Sequence, residues 1–134
     1  MVKQLKSLTY FLLSIALVFL VGCSSVPAKK ELTFNALILD NQSRLELRNV
    51  RIEASKTGVF ASCGVILIRT SCSTTFRAKL YQRNAVYISW LSRGNEKVIG
   101  PLYVRLPEKI RYDLPASIMV KFMSENDVSA EFIY

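Results

Sequence analysis

Residues 118–132 read Ile118-Met119-Val120-Lys121-Phe122-Met123-Ser124-Glu125-Asn126-Asp127-Val128-Ser129-Ala130-Glu131-Phe132. Ile118, Val120 and Phe122 are separated by Met119 and Lys121, and Val128, Ala130 and Phe132 by Ser129 and Glu131. Successive side chains of a strand point to opposite faces, so period two marks a half-buried strand. An amphipathic helix would repeat its apolar positions roughly every 3.6 residues. Ser124-Glu125-Asn126-Asp127 supplies turn formers between the two runs. The stretch therefore predicts an antiparallel hairpin with its apolar sides together.

The same period governs the chain upstream. Leu32–Leu39 reads as a first strand, closed by Asp40-Asn41-Gln42-Ser43. Leu45 and Leu47 alternate in one phase while Val50, Ile52 and Ala54 alternate in the other, which requires a bulge or bend near Arg48-Asn49. Ser55-Lys56-Thr57-Gly58 ends that strand. Phe76–Tyr81 and Ala85–Leu91 flank Gln82-Arg83-Asn84 and read as a hairpin. Val86, Ile88 and Trp90 share a face of the second, making Trp90 the expected core anchor. Ser92-Arg93-Gly94-Asn95 is a turn, and Leu102, Val104 and Leu106 line a strand stopped by Pro107. No segment reads as a long amphipathic helix. Seven or eight strands over residues 32–134 predict an all-β, two-sheet sandwich.

The strand Leu47-Arg48-Asn49-Val50-Arg51-Ile52 and the tryptophan strand resemble those of immunoglobulin-like or transthyretin-like sandwich domains. The resemblance transfers architecture alone, because such folds host unrelated functions. It departs from the immunoglobulin pattern at Cys63 and Cys72, which stand too close in sequence to be the inter-sheet pair that brackets the tryptophan.

The N-terminus carries different information. Lys3 and Lys6 precede Tyr10 to Val21, an apolar block broken only by Ser14. Leu20-Val21-Gly22-Cys23 follows and resembles the lipobox of bacterial lipoproteins. That resemblance implies a signal peptide over residues 1–22, cleavage after the small Gly22, and a diacylglyceryl group and further palmitate-type acyl chains on Cys23. Several chains anchor stably, at roughly 0.8 kcal/mol per buried methylene. An uncleaved membrane anchor is the competing reading, since about 20 residues between Lys6 and Lys29 lack charge, but Val26-Pro27 and the serines around Cys23 form a polar exit. Ser24 after the cysteine, by resemblance to Gram-negative lipoproteins, favours the outer membrane facing the periplasm.

Residues 23–31 form a tether reaching at most roughly 30 Å. Its Lys29 and Lys30 either meet lipid phosphates or keep the linker solvated. Without residues 1–22 the chain has 112 residues, and losing Lys3 and Lys6 lowers its net charge from +8 to +6. That size makes one domain with a modest core.

Assigning Cys23 to lipid leaves Cys63 and Cys72, which in an oxidising envelope predict a disulfide. Nine steps of strand would part them by roughly 30 Å, whereas bridged Cα atoms lie about 4.4–6.8 Å apart, so the chain between them must double back. Val65, Ile66, Leu67 and Ile68 then tuck under the sandwich edge, the preferred expectation, or project as an apolar patch for a partner.

Catalytic signatures are sparse. The absence of histidine removes the usual general base and the Ser-His-Asp arrangement. Lys56-Thr57-Gly58 matches one element of penicillin-binding enzymes, but no serine stands three positions before a lysine. Glu125-Asn126-Asp127 lacks the glycine and distal glutamate of a calcium loop, and two cysteines without histidine under-coordinate a metal. No cofactor, metal or catalytic residue is expected.

Arg44, Arg48 and Arg51, and separately Arg77, Lys79 and Arg83, offer cationic surface for anionic lipid or lipopolysaccharide, or are solvated outer faces. Nucleic acid is disfavoured by compartment and by the lack of a stacking motif. The expectation is a lipid-anchored, non-enzymatic binding or structural module of the bacterial envelope. An assembly factor or inhibitor of one envelope protein, and an enzyme of unrecognised mechanism, stay open beside it.

Overall fold

A computed structural model describes residues 26–27, 29–56 and 60–134. Leu20, Val21, Gly22 and Cys23 lie outside the described residues, as do Thr57 and Gly58.

The described residues form eight strands: β1 (Thr33–Asn41), β2 (Leu47–Ala54), β3 (Phe60–Ile66), β4 (Ser71–Leu80), β5 (Val86–Ser92), β6 (Asn95–Leu102), β7 (Ala116–Phe122) and β8 (Val128–Ile133). Sheet one has the order β4-β1-β7-β8, with β1 parallel to β7 and its other neighbours antiparallel. Sheet two, β3-β2-β5-β6, is antiparallel throughout. The chain is a small two-sheet β-sandwich, as the alternation predicts.

The closing hairpin pairs Ile118 with Phe132, Val120 with Ala130 and Phe122 with Val128, and all six are buried. Facing them from sheet two are Val50, Ile52, Ile88 and Trp90. The Trp90 ring meets Phe122 edge to face, centroids 5.4 Å apart, so the expected anchor of Val86, Ile88 and Trp90 spans the core. Its indole N–H is buried without a protein acceptor. The bend expected in β2 sits at Asn49, whose φ is +49°, and the register against β5 slips between Arg48 and Arg51. Asparagine tolerates that left-handed conformation better than most residues. Leu47 and Val50 both face inward as a result, while Arg48 and Asn49 both face solvent.

Three expectations fail here. Phe76–Tyr81 and Ala85–Leu91 are not a hairpin, because β4 ends sheet one beside β1 and β5 pairs with β2 and β6 in sheet two. The Tyr81 N–H still bonds the Leu32 carbonyl, and the Ala85 carbonyl already accepts from Ser55. Gln82-Arg83-Asn84, with Arg83 at φ +58°, therefore carries the chain across from one sheet to the other. The strand expected through Leu102, Val104 and Leu106 instead runs over Asn95–Leu102. It is turned from β5 by Arg93 and Gly94, both at positive φ, as a two-residue hairpin requires. Val104 is buried, but Leu106 is exposed, where residues 103–115 run irregularly. Last, Cys63 and Cys72 do join the two sheets, though away from the tryptophan strand β5, so only the inter-sheet half of that expectation fails. Their bridge links the edge strands β3 and β4, Cα to Cα 6.5 Å, on one side of the sandwich.

Candidate functional site

The β3-β4 connection is the most distinctive local structure. Cys63 and Ile66 face inward, Gly64 and Val65 both face out, and the chain then reverses. The Thr70 N–H and hydroxyl both donate to the Leu67 carbonyl, at 3.2 and 2.9 Å, and Arg69 takes φ +57°. This leaves Val65 52%, Leu67 55% and Ile68 50% exposed, with Ile66 1% exposed beneath them. The expected tucked loop is thus corrected for three of its four residues, and Ile66 leaves the candidate patch. The reversal has too few residues to cover its own apolar side chains once Ile66 has filled the core position.

Asn41 fixes this tip. Its side chain is fully buried where β1 ends. Nδ2 donates to the carbonyls of Leu45 (2.8 Å), Ile66 (3.1 Å) and Leu67 (3.2 Å), and Oδ1 accepts from the Ser43 N–H (3.1 Å) and hydroxyl (2.7 Å). Along the backbone, the Asn41 N–H bonds Thr70 and the Asn41 carbonyl accepts from Arg69. One residue thereby ties the β1-β2 turn to the β3-β4 turn, and the Cys63–Cys72 disulfide closes the same reversal, with Cys72 opposite Leu39. Asn41 is not recognisable in the sequence as more than a turn former. Its neighbours Asp40, Gln42 and Ser43 advertise the turn equally well.

A second feature is an apolar cavity of about 90 Å³ between the sheets, lined by Leu37, Ile52, Phe76, Val86, Ile118 and Val120 among others. Its exposed lining residues, Lys79, Leu80 and Gln82, place the opening where β4 leaves sheet one. Tyr81 lines it and donates to the Val104 carbonyl at 3.3 Å. Burial raises the pKa of this hydroxyl, with Arg83 opposing.

The carboxylates with perturbed titration are held ionised. Glu131 accepts from Lys121 at 2.7 Å and from Arg105, and these two donors lower its pKa. Glu125 is lowered chiefly by the Ser92 hydroxyl at 2.6 Å, and Asp113 by Arg111 at 2.9 Å. A general acid requires the opposite shift. No group of three metal-ligating side chains comes together among the described residues.

The two basic groups do not merge. Arg44, Arg48 and Arg51 belong to the β1-β2 turn and the outer face of sheet two, whereas Arg77 and Lys79 lie in β4 of sheet one and Arg83 in the crossover. Arg48 is paired with Glu46.

No protein-family model matches the sequence, and no curated protein matches it. Among solved structures the chain is similar to a protein from Eubacterium rectale determined by NMR. They share 12% identity over 78% of this chain and 89% of that one, with a TM-score of 0.45.

Proposed function

We propose that this chain is a lipoprotein anchored through acylated Cys23, sorted to the periplasmic side of the outer membrane, and that its sandwich is a non-enzymatic binding module. Its binding element is the tip formed by Val65, Leu67 and Ile68, and its partner is a protein of the envelope. The observation that carries the reading is the tip itself: three apolar side chains held in solvent by Asn41 and by a disulfide. Exposed apolar surface on a rigid support favours a partner, because ordering costs are already met in the free protein. The position of the tip adds to this. β1 starts where the tether joins and ends at Asn41, so its nine residues put the tip roughly 30 Å from the anchored end.

Strand order favours the transthyretin-like half of the resemblance. In immunoglobulin domains the first two strands are sheet neighbours, whereas here β1 lies between β4 and β7.

Two measurements test the proposal. Growth with a radioactive fatty acid labels the wild-type chain and leaves Cys23→Ser unlabelled; persistent label on the variant removes the anchor. In pull-downs from detergent-solubilised envelopes, Leu67→Asp loses a specific partner that Val98→Asp, an exposed change on β6, retains. A folded Leu67→Asp that keeps every partner, or a collapsed melting temperature for it, overturns the tip as a binding element.

A further inference from the structure

The end of the sandwich opposite the tip has a composition of its own. β1 starts there, so the tether leaves from it. The end of β2 up to Lys56, the sheet-crossing segment and residues 103–115 gather at the same end. Thirteen residues without helix or ladder strand are long for so small a domain, and ordered loops of that length are usually functional. The segment is ordered: Ile110 packs on the core, and the Tyr134 hydroxyl both donates to the Arg111 carbonyl (3.0 Å) and accepts from its N–H (2.8 Å). It nevertheless leaves Leu106, Tyr112 and Leu114 40%, 47% and 45% exposed, with Leu80 at 51% on the adjoining strand end.

Charge is uneven as well. Around these side chains stand exposed Lys56, Arg83, Lys109 and Arg111, opposed by Glu108 and Asp113, and the tether adds Lys29 and Lys30 against Glu31. At the tip end, Arg44, Arg69 and Arg93 are matched in number by Glu46, Glu125 and Asp127. Both ends expose apolar side chains, but only the tether end adds an excess of cations.

We infer that the tether end is a membrane-docking face that seats on an anionic phospholipid leaflet, Leu80, Tyr112 and Leu114 entering the headgroup layer and the cations lying over the phosphates. Tyrosine is enriched at that depth, where its ring is apolar and its hydroxyl wet. Cations beside a membrane anchor are drawn to anionic lipid. The inference rests on the acylated Cys23 proposed above, whose tether of at most roughly 30 Å keeps this end at the surface. The domain then stands on the bilayer with Leu67 and Ile68 pointing away from it.

The test uses the full acylated chain, purified from bacterial membranes and reconstituted into phosphatidylcholine vesicles with or without phosphatidylglycerol. Cys63 and Cys72 are bridged, so a cysteine introduced as Tyr112→Cys or Ile68→Cys takes a nitroxide label selectively. A water-soluble nickel complex reports exposure of the label. The expected result is a severalfold loss of relaxation at position 112 when phosphatidylglycerol is present, no change at position 68, and recovery at 112 in the Arg83→Glu, Lys109→Glu double variant. Equal exposure at both positions in protein that still floats with the vesicles overturns the docking face and leaves the anchor standing. If Cys23 carries no acyl mass, the anchor fails. The position-112 label then decides the face by itself: shielding with phosphatidylglycerol retains it, and exposure overturns it.

Discussion

Replacing Asn41 by alanine removes the side chain that holds two turns together, and the cost can be worked from its bonds. The two Nδ2 protons are shared among the Leu45, Ile66 and Leu67 carbonyls, and Oδ1 takes both donors of Ser43. Each hydrogen bond contributes about 0.5–1.5 kcal/mol net, and a buried partner left unpaired costs about 1–3 kcal/mol. Water reaches some of these part-buried groups after truncation, so the expected loss for Asn41→Ala is about 3–4 kcal/mol. A small domain has roughly 5–15 kcal/mol in total. Urea unfolding followed by Trp90 fluorescence measures it. Asn41→Asp sharpens the test, because it keeps an acceptor for Ser43 and turns a carboxylate oxygen toward the three carbonyls. Burial, and a second oxygen that faces three carbonyls and no donor, outweigh the Ser43 bonds and raise the pKa of that carboxyl in the folded state, so the variant binds a proton on folding. Its deficit is largest at neutral pH and shrinks as pH falls through the raised folded-state value. An Asn41→Ala loss under about 1 kcal/mol, or an Asn41→Asp deficit that ignores pH, would refute the assignment of Asn41 as the tie between the turns.

Trp90→Ala is expected to cost about 3–5 kcal/mol, the range for deleting a large core aromatic, and the native emission spectrum should be that of a shielded indole. Cys63→Ala with Cys72→Ala should lose about 2.5–3 kcal/mol by the chain-entropy estimate for so short a loop. Mass spectrometry of the non-reduced protein should first show the Cys63–Cys72 peptide pair, and free thiols there would sink the reversal. Glu131→Gln should cost up to about 1 kcal/mol at neutral pH, since a partly exposed ion pair is worth little more. Lys121 and then Arg105 depress the Glu131 pKa below its ordinary 4.5, so this contribution is present above 4.5 and disappears as pH falls through the depressed value. A wild-type advantage that persists in strong acid would contradict it.

Where one face of a strand is buried and the other wet, the sequence carried the answer. The closing hairpin, the inward triplet of β5 and the bend at Arg48-Asn49 all follow from phase. What it concealed follows from the same rule. β6 shows weak alternation, because its inward side is only half-buried and Gly100-Pro101 interrupts it. Phe76–Tyr81 and Ala85–Leu91 look like a hairpin because period two identifies strands without saying which sheet each joins. Gly64 and Val65 pointing the same way hid the exposure of Val65 and Leu67, since strict alternation from Cys63 would have turned both inward. At the candidate site, the disulfide was legible from cysteine arithmetic. Asn41 was not, because a turn asparagine becomes a buried tie only when a second turn, some 25 residues later, closes over it.

The placement of β1 also dictates an order of events. Sheet two is complete within residues 47–102, its β2-β3 and β5-β6 hairpins joined side by side through β2 and β5. β1, the first strand, occupies the middle of sheet one, where Leu39 meets Val120. Such distant pairing is slow, because a long loop must close before any contact rewards it. A chain emerging N-terminus first therefore presents β1 early and completes its pairing only when β7 arrives. β4 can cover one edge of β1 once residue 80 is made, but the other stays open, and any interruption before residue 116 leaves a half-built sheet, ready for proteolysis or for pairing with another unfinished chain.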